Sequence, residues 1–272
     1  QGDEARSLYR IPVDGGESSV VATLKSDIRG FSLSADGNQV ALLAPQPESD
    51  ELKALRKKGF SQKVYEEDWR PVQLWIAGTG EGAAPRLVEV EGSVQSVRWS
   101  PAGDRLALLV APRQLTDDTL VFTRVRIVSP EGRVLGKVEN PGKVSDLAWS
   151  PDGAHLAFIS AEDEHDAQQG RLFVAGRDGG AWRDLLPGLP GHVVDVEWRD
   201  ASTVQFLSFE GVQARLGEVG LDGGAQQTLL PAEGRVWNSF DRSRGGDIAL
   251  LASTPQHPSE LFLLAAGEAA PR

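Results

Sequence analysis

A short phrase recurs along this chain: an aromatic residue, Ser, Pro, a variable residue and Gly, followed by a small apolar stretch. The phrase is clearest at residues 99–108 and 149–158. Pro presets φ, Asp bonds its own backbone and Gly supplies a positive φ, so each phrase predicts a tight turn inside a hairpin. The first residues of the five copies, including three weaker ones, are Leu33, Trp99, Trp149, Trp198 and Phe240.

A second kind of hairpin follows each phrase. Alternating apolar residues run into Asp-Gly or Gly-Gly, as at residues 172–180 and 216–224, and this pattern favours a hairpin. The five copies are separated by 66, 50, 49 and 42 residues. A repeat of about 40 to 50 residues is typical of a β-propeller in which each repeat forms one four-stranded blade. We therefore expect residues 1–272 to form an all-β propeller.

The number of hairpins is uneven. The hairpin of the repeated phrase is the inner hairpin of a blade, and the second kind is the outer one. The sequence contains six outer hairpins and five inner ones, which predicts 22 strands, or five and a half blades, with the first inner hairpin missing. A propeller closes only in whole blades, because an open edge leaves unpaired N–H and C=O groups. The chain begins at Gln1 and has no Met, which also favours a piece of a longer protein. Self-association through the open blade edge is a further expectation.

Composition excludes several classes of function. The chain has no Cys, so disulfides, thiolate metal sites and Cys nucleophiles are excluded. Its 28 Lys and Arg against 39 Asp and Glu give a formal net charge of −11, which argues against nucleic acid as a partner. No apolar run is long enough to span a bilayer. We expect a soluble domain in the cytoplasm, with a periplasmic or secreted location as the alternative.

One excursion, residues 45–70, interrupts the repeat within a blade and accounts for the longest step. Ser49 is placed to cap a short helix, and Gly59 is placed to end it. Long loops in compact domains tend to be functional. Contact with a partner domain and a solvated decoration are the two interpretations.

The excursion carries a resemblance to a known family. Residues 51–59 and 66–75 resemble the propeller of the prolyl oligopeptidase family, especially its acylaminoacyl peptidase and dipeptidyl peptidase branches. Residues 252–262 resemble the segment with which that family leaves its propeller for the catalytic domain. The Ser-Pro-Asp-Gly turns of the other blades are equally similar to propellers of the TolB type.

The resemblance implies a gating role for this chain. In that family an α/β-hydrolase domain carries the nucleophilic Ser on a Gly-x-Ser-x-Gly elbow, and the propeller admits only short or unfolded peptides. This sequence has no such elbow, so we expect no catalytic residues, no cofactor and no metal in it. The α/β-hydrolase domain is the expected partner, and residues 265–272 would begin the linker to it. These residues offer little apolar surface, so we expect them to be held poorly.

The four histidines do not predict a catalytic or metal site. Three of them lie in separate turns or loops, at His155, His192 and His257. A cation site is conceivable at His165, which stands among acidic residues, but a solvated hairpin tip is the favoured interpretation.

Candidate substrate-binding residues lie in the excursion. In dipeptidyl peptidases a pair of Glu on a propeller excursion binds the substrate α-ammonium, and Glu66 and Glu67 are the only adjacent Glu pair here. Paired carboxylates hold an ammonium through charge-assisted hydrogen bonds. Arg70 is the third candidate. The alternative is that the acids only solubilise the surface and that Arg70 packs the loop.

Two other functions remain open from the sequence. A TolB-like propeller could act as a protein-interaction scaffold. A propeller lyase or glycosidase would need carboxylates on the innermost strands, where Asp146, Asp195 and Glu197 occur without repeating. By contrast, the five residues that open the repeated phrases are expected to form the core between blades, because they recur at one register.

Overall fold

The computed structural model describes residues 6–80, 82–165, 168–224 and 226–272. Their regular structure is almost entirely β, which confirms the expected fold class. The chain divides into two compact units, Gln1–Lys137 and Val138–Arg272, and each is taken by itself below. No helix in these described ranges is long and apolar enough to cross a membrane.

The first unit contains a two-stranded sheet followed by two four-stranded antiparallel blades. The two-stranded sheet consists of β1 (Arg6–Arg10) and β2 (Ser19–Leu24). The next blade consists of β3 (Gly30–Leu33), β4 (Gln39–Pro45), β5 (Val72–Gly78) and β6 (Arg86–Val88), with helix α1 (Asp50–Lys57) between β4 and β5. The following blade consists of β7 (Ser93–Trp99), β8 (Leu106–Ala111), β9 (Arg124–Val128) and β10 (Val134–Val138), with helix α2 (Thr116–Leu120) between β8 and β9.

The second unit contains three blades, again antiparallel and in chain order. One consists of β11 (Val144–Trp149), β12 (His155–Ser160), β13 (Arg171–Gly176) and β14 (Gly179–Asp184). The next consists of β15 (His192–Asp200), β16 (Thr203–Glu210), β17 (Gln213–Gly220) and β18 (Gln227–Leu230). The last has three strands, β19 (Val236–Arg242), β20 (Ile248–Thr254) and β21 (His257–Leu264).

The repeated phrase forms a turn that is closed by its own side chains. Ser150 Oγ accepts a hydrogen bond from His155 N at 2.9 Å and donates one to Asp152 Oδ1 at 2.6 Å. Gly153 takes the positive φ that the turn needs, at 68°. The hydrogen bond from Ser150 is the main reason why the pKa of Asp152 lies below its usual value. The copy that begins at Ser34 is built in the same way.

The aromatic residues that open the phrases are buried. Trp99, Trp149, Trp198 and Phe240 expose between 6% and 9% of their surface. Trp99 belongs to an apolar cluster with side chains of β4 and β5, and Trp198 to one with side chains of β12 and β13. Each of these two indoles therefore contributes to a core shared with the preceding blade of its own unit.

Leu33 differs from this expectation, because 52% of its surface is exposed. The sheet before it consists of β1 and β2 alone, and these outer strands pack against β4 and β5 through a separate apolar cluster that does not include Leu33. No inner strand of a preceding blade covers Leu33 in the part of the chain that the structure describes. The repeat spacing predicted where Leu33 lies in its blade. Its burial depends on a strand of a neighbouring blade, which the spacing cannot show.

The end of the chain also departs from the predicted count. The described residues contain 21 strands, because no fourth strand follows β21. Instead, Arg272 exchanges two backbone hydrogen bonds with Leu263, at 2.8 and 3.0 Å. Ala266 N also donates to Asp247 Oδ1 at 2.9 Å. The expectation that residues 265–272 are held poorly is therefore wrong, since backbone contacts rather than apolar burial hold them.

Candidate functional site

The two ends of each blade in the first unit differ in their connections. In an antiparallel blade, the turns after the first and third strands lie at one edge, and the connection from the second to the third strand lies at the opposite edge. We call the edge that carries the turns after the first and third strands the turn edge. We call the opposite edge the excursion edge, and it carries residues 46–71 and residues 112–123.

The root of the first excursion is closed by Arg70. Gln46 N donates to the carbonyl of Pro71 at 2.8 Å, and Arg70 Nη1 donates to the carbonyl of Gln46 at the same distance. Glu48 Oε1 lies 2.7 Å from Arg56 Nη1 and 3.6 Å from Arg70 Nη2. The guanidinium of Arg70 therefore holds the two ends of the excursion together.

A polar network centred on the buried Ser93 joins the roots of both excursions. Ser93 is completely buried; its Oγ accepts a hydrogen bond from Val72 N at 2.9 Å and donates one to Gln114 Oε1 at 2.5 Å. Gln95 Nε2 donates to the same Gln114 oxygen at 2.8 Å. The first strand of the second blade thus fixes where both excursions leave the sheet. Sequence reasoning did not identify these residues, since none of them lies in a recognisable motif.

The second excursion brings a cation close to the predicted Glu pair. Arg113 Nε lies 2.5 Å from Asp118 Oδ2, and Asp118 is buried. The hydrogen bond and the charge of Asp118 raise the pKa of Arg113, and the charge of Glu66 adds to this effect. Arg113 was not among the candidate residues from the sequence; the only signal for it was the length of the β8–β9 connection.

The predicted Glu pair lies in an exposed turn. Asp68 Oδ2 accepts a hydrogen bond from Val64 N at 2.7 Å and closes this turn. Glu66 has a φ of 69°, a left-handed conformation that is uncommon for a residue other than Gly. Both Glu66 and Glu67 are exposed. The structure therefore keeps the two acids together in one turn but directs Arg70 to the root of the excursion.

In the two four-stranded blades of the first unit, exposed apolar side chains are concentrated on the connections of the excursion edge; the turn between β1 and β2 exposes Ile11 and Val13. The turns of the turn edge, residues 34–38, 79–85, 100–105 and 129–133, expose no large apolar side chain among their described residues. Single exposed apolar residues are ordinary, whereas several on neighbouring loops indicate a contact surface. Those on the two excursions are Leu52, Leu55, Phe60, Val64, Tyr65, Leu120 and Phe122.

A groove with a volume of ≈ 430 Å³ lies beside the second excursion. Its walls come from the β6–β7 connection, the end of β8 and one face of β9. The groove combines charges of both signs with apolar surface. The residues that supply them are Glu89, Glu91, Phe122, Arg124, Arg126 and Val134.

The inner strands of the second unit carry the acids that a channel enzyme would need. Asp195 Oδ2 accepts a hydrogen bond from Phe240 N at 3.1 Å, and its Oδ1 accepts one from Val196 N at 2.9 Å. Burial raises the pKa of Asp195, and the charges of Asp146 and Asp241 raise it further. Asp195 therefore has a structural role between neighbouring blades.

Three of the four histidines contact neighbouring residues through their rings. His192 Nδ1 accepts a hydrogen bond from Gly170 N at 2.6 Å, and burial lowers its pKa. The ring of His155 stacks on Trp198 with 6.3 Å between ring centroids. His165 Nδ1 lies 3.0 Å from Asp163 Oδ1. Within the described ranges, no three possible ligands are grouped closely enough to hold a metal ion.

Comparison with known proteins finds similarity in structure alone. No family model matches the sequence, and no curated protein matches it either. An acylaminoacyl peptidase in complex with Z-Gly-Gly-Phe-chloromethyl ketone is similar with a TM-score of 0.70 and 18% identity over 97% of this chain. A TolB protein from Agrobacterium tumefaciens is similar with a TM-score of 0.59 and 16% identity over 91% of this chain. The β-propeller domain of the Trilobed protease from Pyrococcus furiosus is similar with a TM-score of 0.51 and 14% identity over 97% of this chain.

The share of each neighbour that is matched differs widely. The chain spans 40% of the acylaminoacyl peptidase, 80% of the TolB protein and 88% of the Trilobed protease domain. Identities this low show the fold and do not distinguish a peptidase propeller from a TolB-like one. The chain has the β-propeller fold, which both groups of neighbours share.

Proposed function

We propose that this chain is the non-catalytic propeller domain of a serine peptidase, which binds short peptides and limits their access to an α/β-hydrolase domain. One observation favours the peptidase over other propellers. Residues 51–59, 66–75 and 252–262 resemble segments of the prolyl oligopeptidase family.

The groove beside the second excursion carries the proposal. A short peptide presents a carboxylate, an ammonium and side chains, and the groove offers a partner for each. Arg124 and Arg126 suit the carboxylate, Glu89 and Glu91 suit the ammonium, and Phe122 suits an apolar side chain. Its volume of ≈ 430 Å³ lies within the range of about 300 to 1,000 Å³ that is usual for ligand sites.

The Glu pair is proposed as a second ammonium site at the same edge. Glu66 and Glu67 are exposed and adjacent, so both carboxylates can reach one ligand. Glu66 and Glu67 offer a partner for the ammonium alone, whereas the groove also offers cations for the carboxylate. The groove is therefore the stronger site of the two.

Peptide titration followed by NMR tests the groove. We expect Gly-Gly-Phe with free termini to bind more tightly than the same peptide with an acetylated N-terminus and an amidated C-terminus. Arg126→Gln should weaken the free peptide about tenfold, since a charge-assisted hydrogen bond to a carboxylate is lost. Arg10→Gln, on β1 outside the groove, is the matched control. Equal affinity for the free and the blocked peptide, or no loss of affinity in Arg126→Gln, would contradict recognition of peptide termini by the groove.

A TolB-like interaction scaffold is the second candidate function. It is favoured by the 80% of the Agrobacterium tumefaciens TolB that the chain spans. The two functions differ in what the gene encodes after Arg272: the peptidase requires an α/β-hydrolase domain with a Gly-x-Ser-x-Gly elbow. In both cases we expect no hydrolysis of acyl-aminoacyl substrates by this chain alone. Turnover that a serine-directed phosphonate abolishes would contradict both.

A further inference from the structure

Helix α1 is well formed at its ends and uncovered along its length. Ser49 Oγ accepts a hydrogen bond from Leu52 N at 3.2 Å, and Gly59 after the helix has a φ of 93°. None of the eight residues of α1 is buried. Helices shorter than about 12 residues are marginal in water unless an apolar face packs against something. A second surface that covers α1 would therefore stabilise it.

The uncovered face of α1 has a defined chemical order. With 3.6 residues per turn, Glu51, Leu52, Leu55 and Lys58 lie on one side of the helix. All four are exposed. The face therefore begins with an acid, continues with two leucines and ends with a base. Phe60 follows it, and its N–H donates to the carbonyl of Leu55 at 3.1 Å.

This order is complementary to itself when it is reversed. Two copies of α1 that run antiparallel about a two-fold axis place Glu51 of each copy opposite Lys58 of the other, with the leucines between them. We propose that a second copy of this chain docks on α1 in this way. The interface consists of two symmetric ion pairs around an apolar centre.

Other occupants fit the face less well. A uniformly acidic partner would leave Glu51 without a cation, and a uniformly basic one would leave Lys58 without an anion, so neither matches both ends of the face. An anionic bilayer would repel a chain of net charge −11. Self-pairing through the free edge of β1 is also less suitable, because antiparallel pairing centred on Leu8 would place Arg6 opposite Arg10. The face of α1 thus favours an identical partner.

Sedimentation equilibrium of the chain tests the proposal. One short helix gives a small interface, so we expect a monomer–dimer equilibrium with a Kd of about 1 µM to 1 mM that weakens as salt is raised. Glu51→Lys and Lys58→Glu should each weaken the dimer at least about tenfold, because both symmetric contacts become repulsive. A mixture of the two variants should form a heterodimer as tight as the unchanged dimer, since each contact again joins a lysine of one variant to a glutamate of the other.

Controls separate this arrangement from general charge effects. Lys57→Glu makes the same charge change on the opposite side of α1 and should leave the dimer unchanged. Leu55→Ser should weaken it without altering the circular dichroism of the fold, since Leu55 is exposed. A chain that stays monomeric at millimolar concentration overturns the proposal. A dimer that survives the charge variants, or single variants that the mixture fails to restore, overturns it as well.

Discussion

The turn edge and the excursion edge of the first unit are made by the same strands and are stabilised differently. At the turn edge of the two four-stranded blades, Ser and Asp side chains close each inner turn within about five residues, and the described turn residues of these blades expose no large apolar side chain. At the excursion edge, Ser93 connects residues that are 21 positions away in either direction. The local sequence therefore determines the turn edge, whereas the excursion edge depends on the meeting of distant segments.

We expect the largest difference between the edges when one glycine at each edge is replaced and the free energy of unfolding is compared. A Cβ on Gly92, at the excursion edge, would lie 2.5 Å from the carbonyl oxygen of Ala111, at a φ of 98°. A Cβ on Gly103, at the turn edge, would meet nothing within 4 Å at a φ of 70°. We expect Gly92→Ala to lower the free energy of unfolding by about 3 kcal/mol and Gly103→Ala by about 1 kcal/mol. Urea denaturation measures both, and equal losses would contradict the comparison.

Replacement of a serine at each edge should give a smaller difference in the free energy of unfolding than replacement of the two glycines. Ser93→Ala leaves the buried N–H of Val72 without its hydroxyl acceptor, while Gln114 Oε1 keeps the hydrogen bond from Gln95, and we expect a loss of about 2 kcal/mol. Ser100→Ala removes one hydrogen bond to Asp104, which is partly exposed and can be solvated, so we expect about 1 kcal/mol. Thermal and chemical denaturation of the two variants should rank them in this order.

Removal of the projecting part of the first excursion should cost little. No side chain between residues 50 and 68 is buried. Replacement of residues 51–67 by a short Gly-Ser linker should therefore change the free energy of unfolding by less than about 1 kcal/mol, mostly through the surface pair of Arg56 and Glu48. Denaturation at a concentration where the chain is monomeric measures this. A loss of several kcal/mol would show that the excursion supports the blade.

The smallest expected effect is the pH dependence of a carboxylate in the same kind of turn, Asp152 in the second unit. The hydrogen bond from Ser150 lowers the pKa of Asp152 below that of the unfolded chain. The folded state therefore gains stability above the unfolded pKa of about 3.9, and loses it as the pH falls through the lower folded value. Asp152→Asn should make the decline of stability below about pH 4 shallower. An unchanged pH profile would contradict a contribution from this hydrogen bond.

The sequence predicted the structures that depend on nearby residues. The turn phrases gave hairpins, and a helix was expected between Ser49 and Gly59, where the structure has α1. The exposure of Leu33 was not predicted, because it depends on the strands of a preceding blade. The network of Ser93 and the proximity of Arg113 to Glu66 were missed for the same reason: nothing in a single sequence reports which distant segments meet.

The hydrogen bonds between blades have a consequence for how the second unit folds. Trp198 Nε1 donates to the carbonyl of Ala148, 50 residues earlier, and Phe240 N donates to Asp195, 45 residues earlier. Hairpins close short loops quickly, whereas these contacts carry the larger loop-closure entropy of distant residues. We therefore expect each blade to form its own hairpins first and then to dock on the preceding blade. In such folding each blade is coupled only to its neighbours, so a substitution that destabilises one blade also weakens the docking of the next.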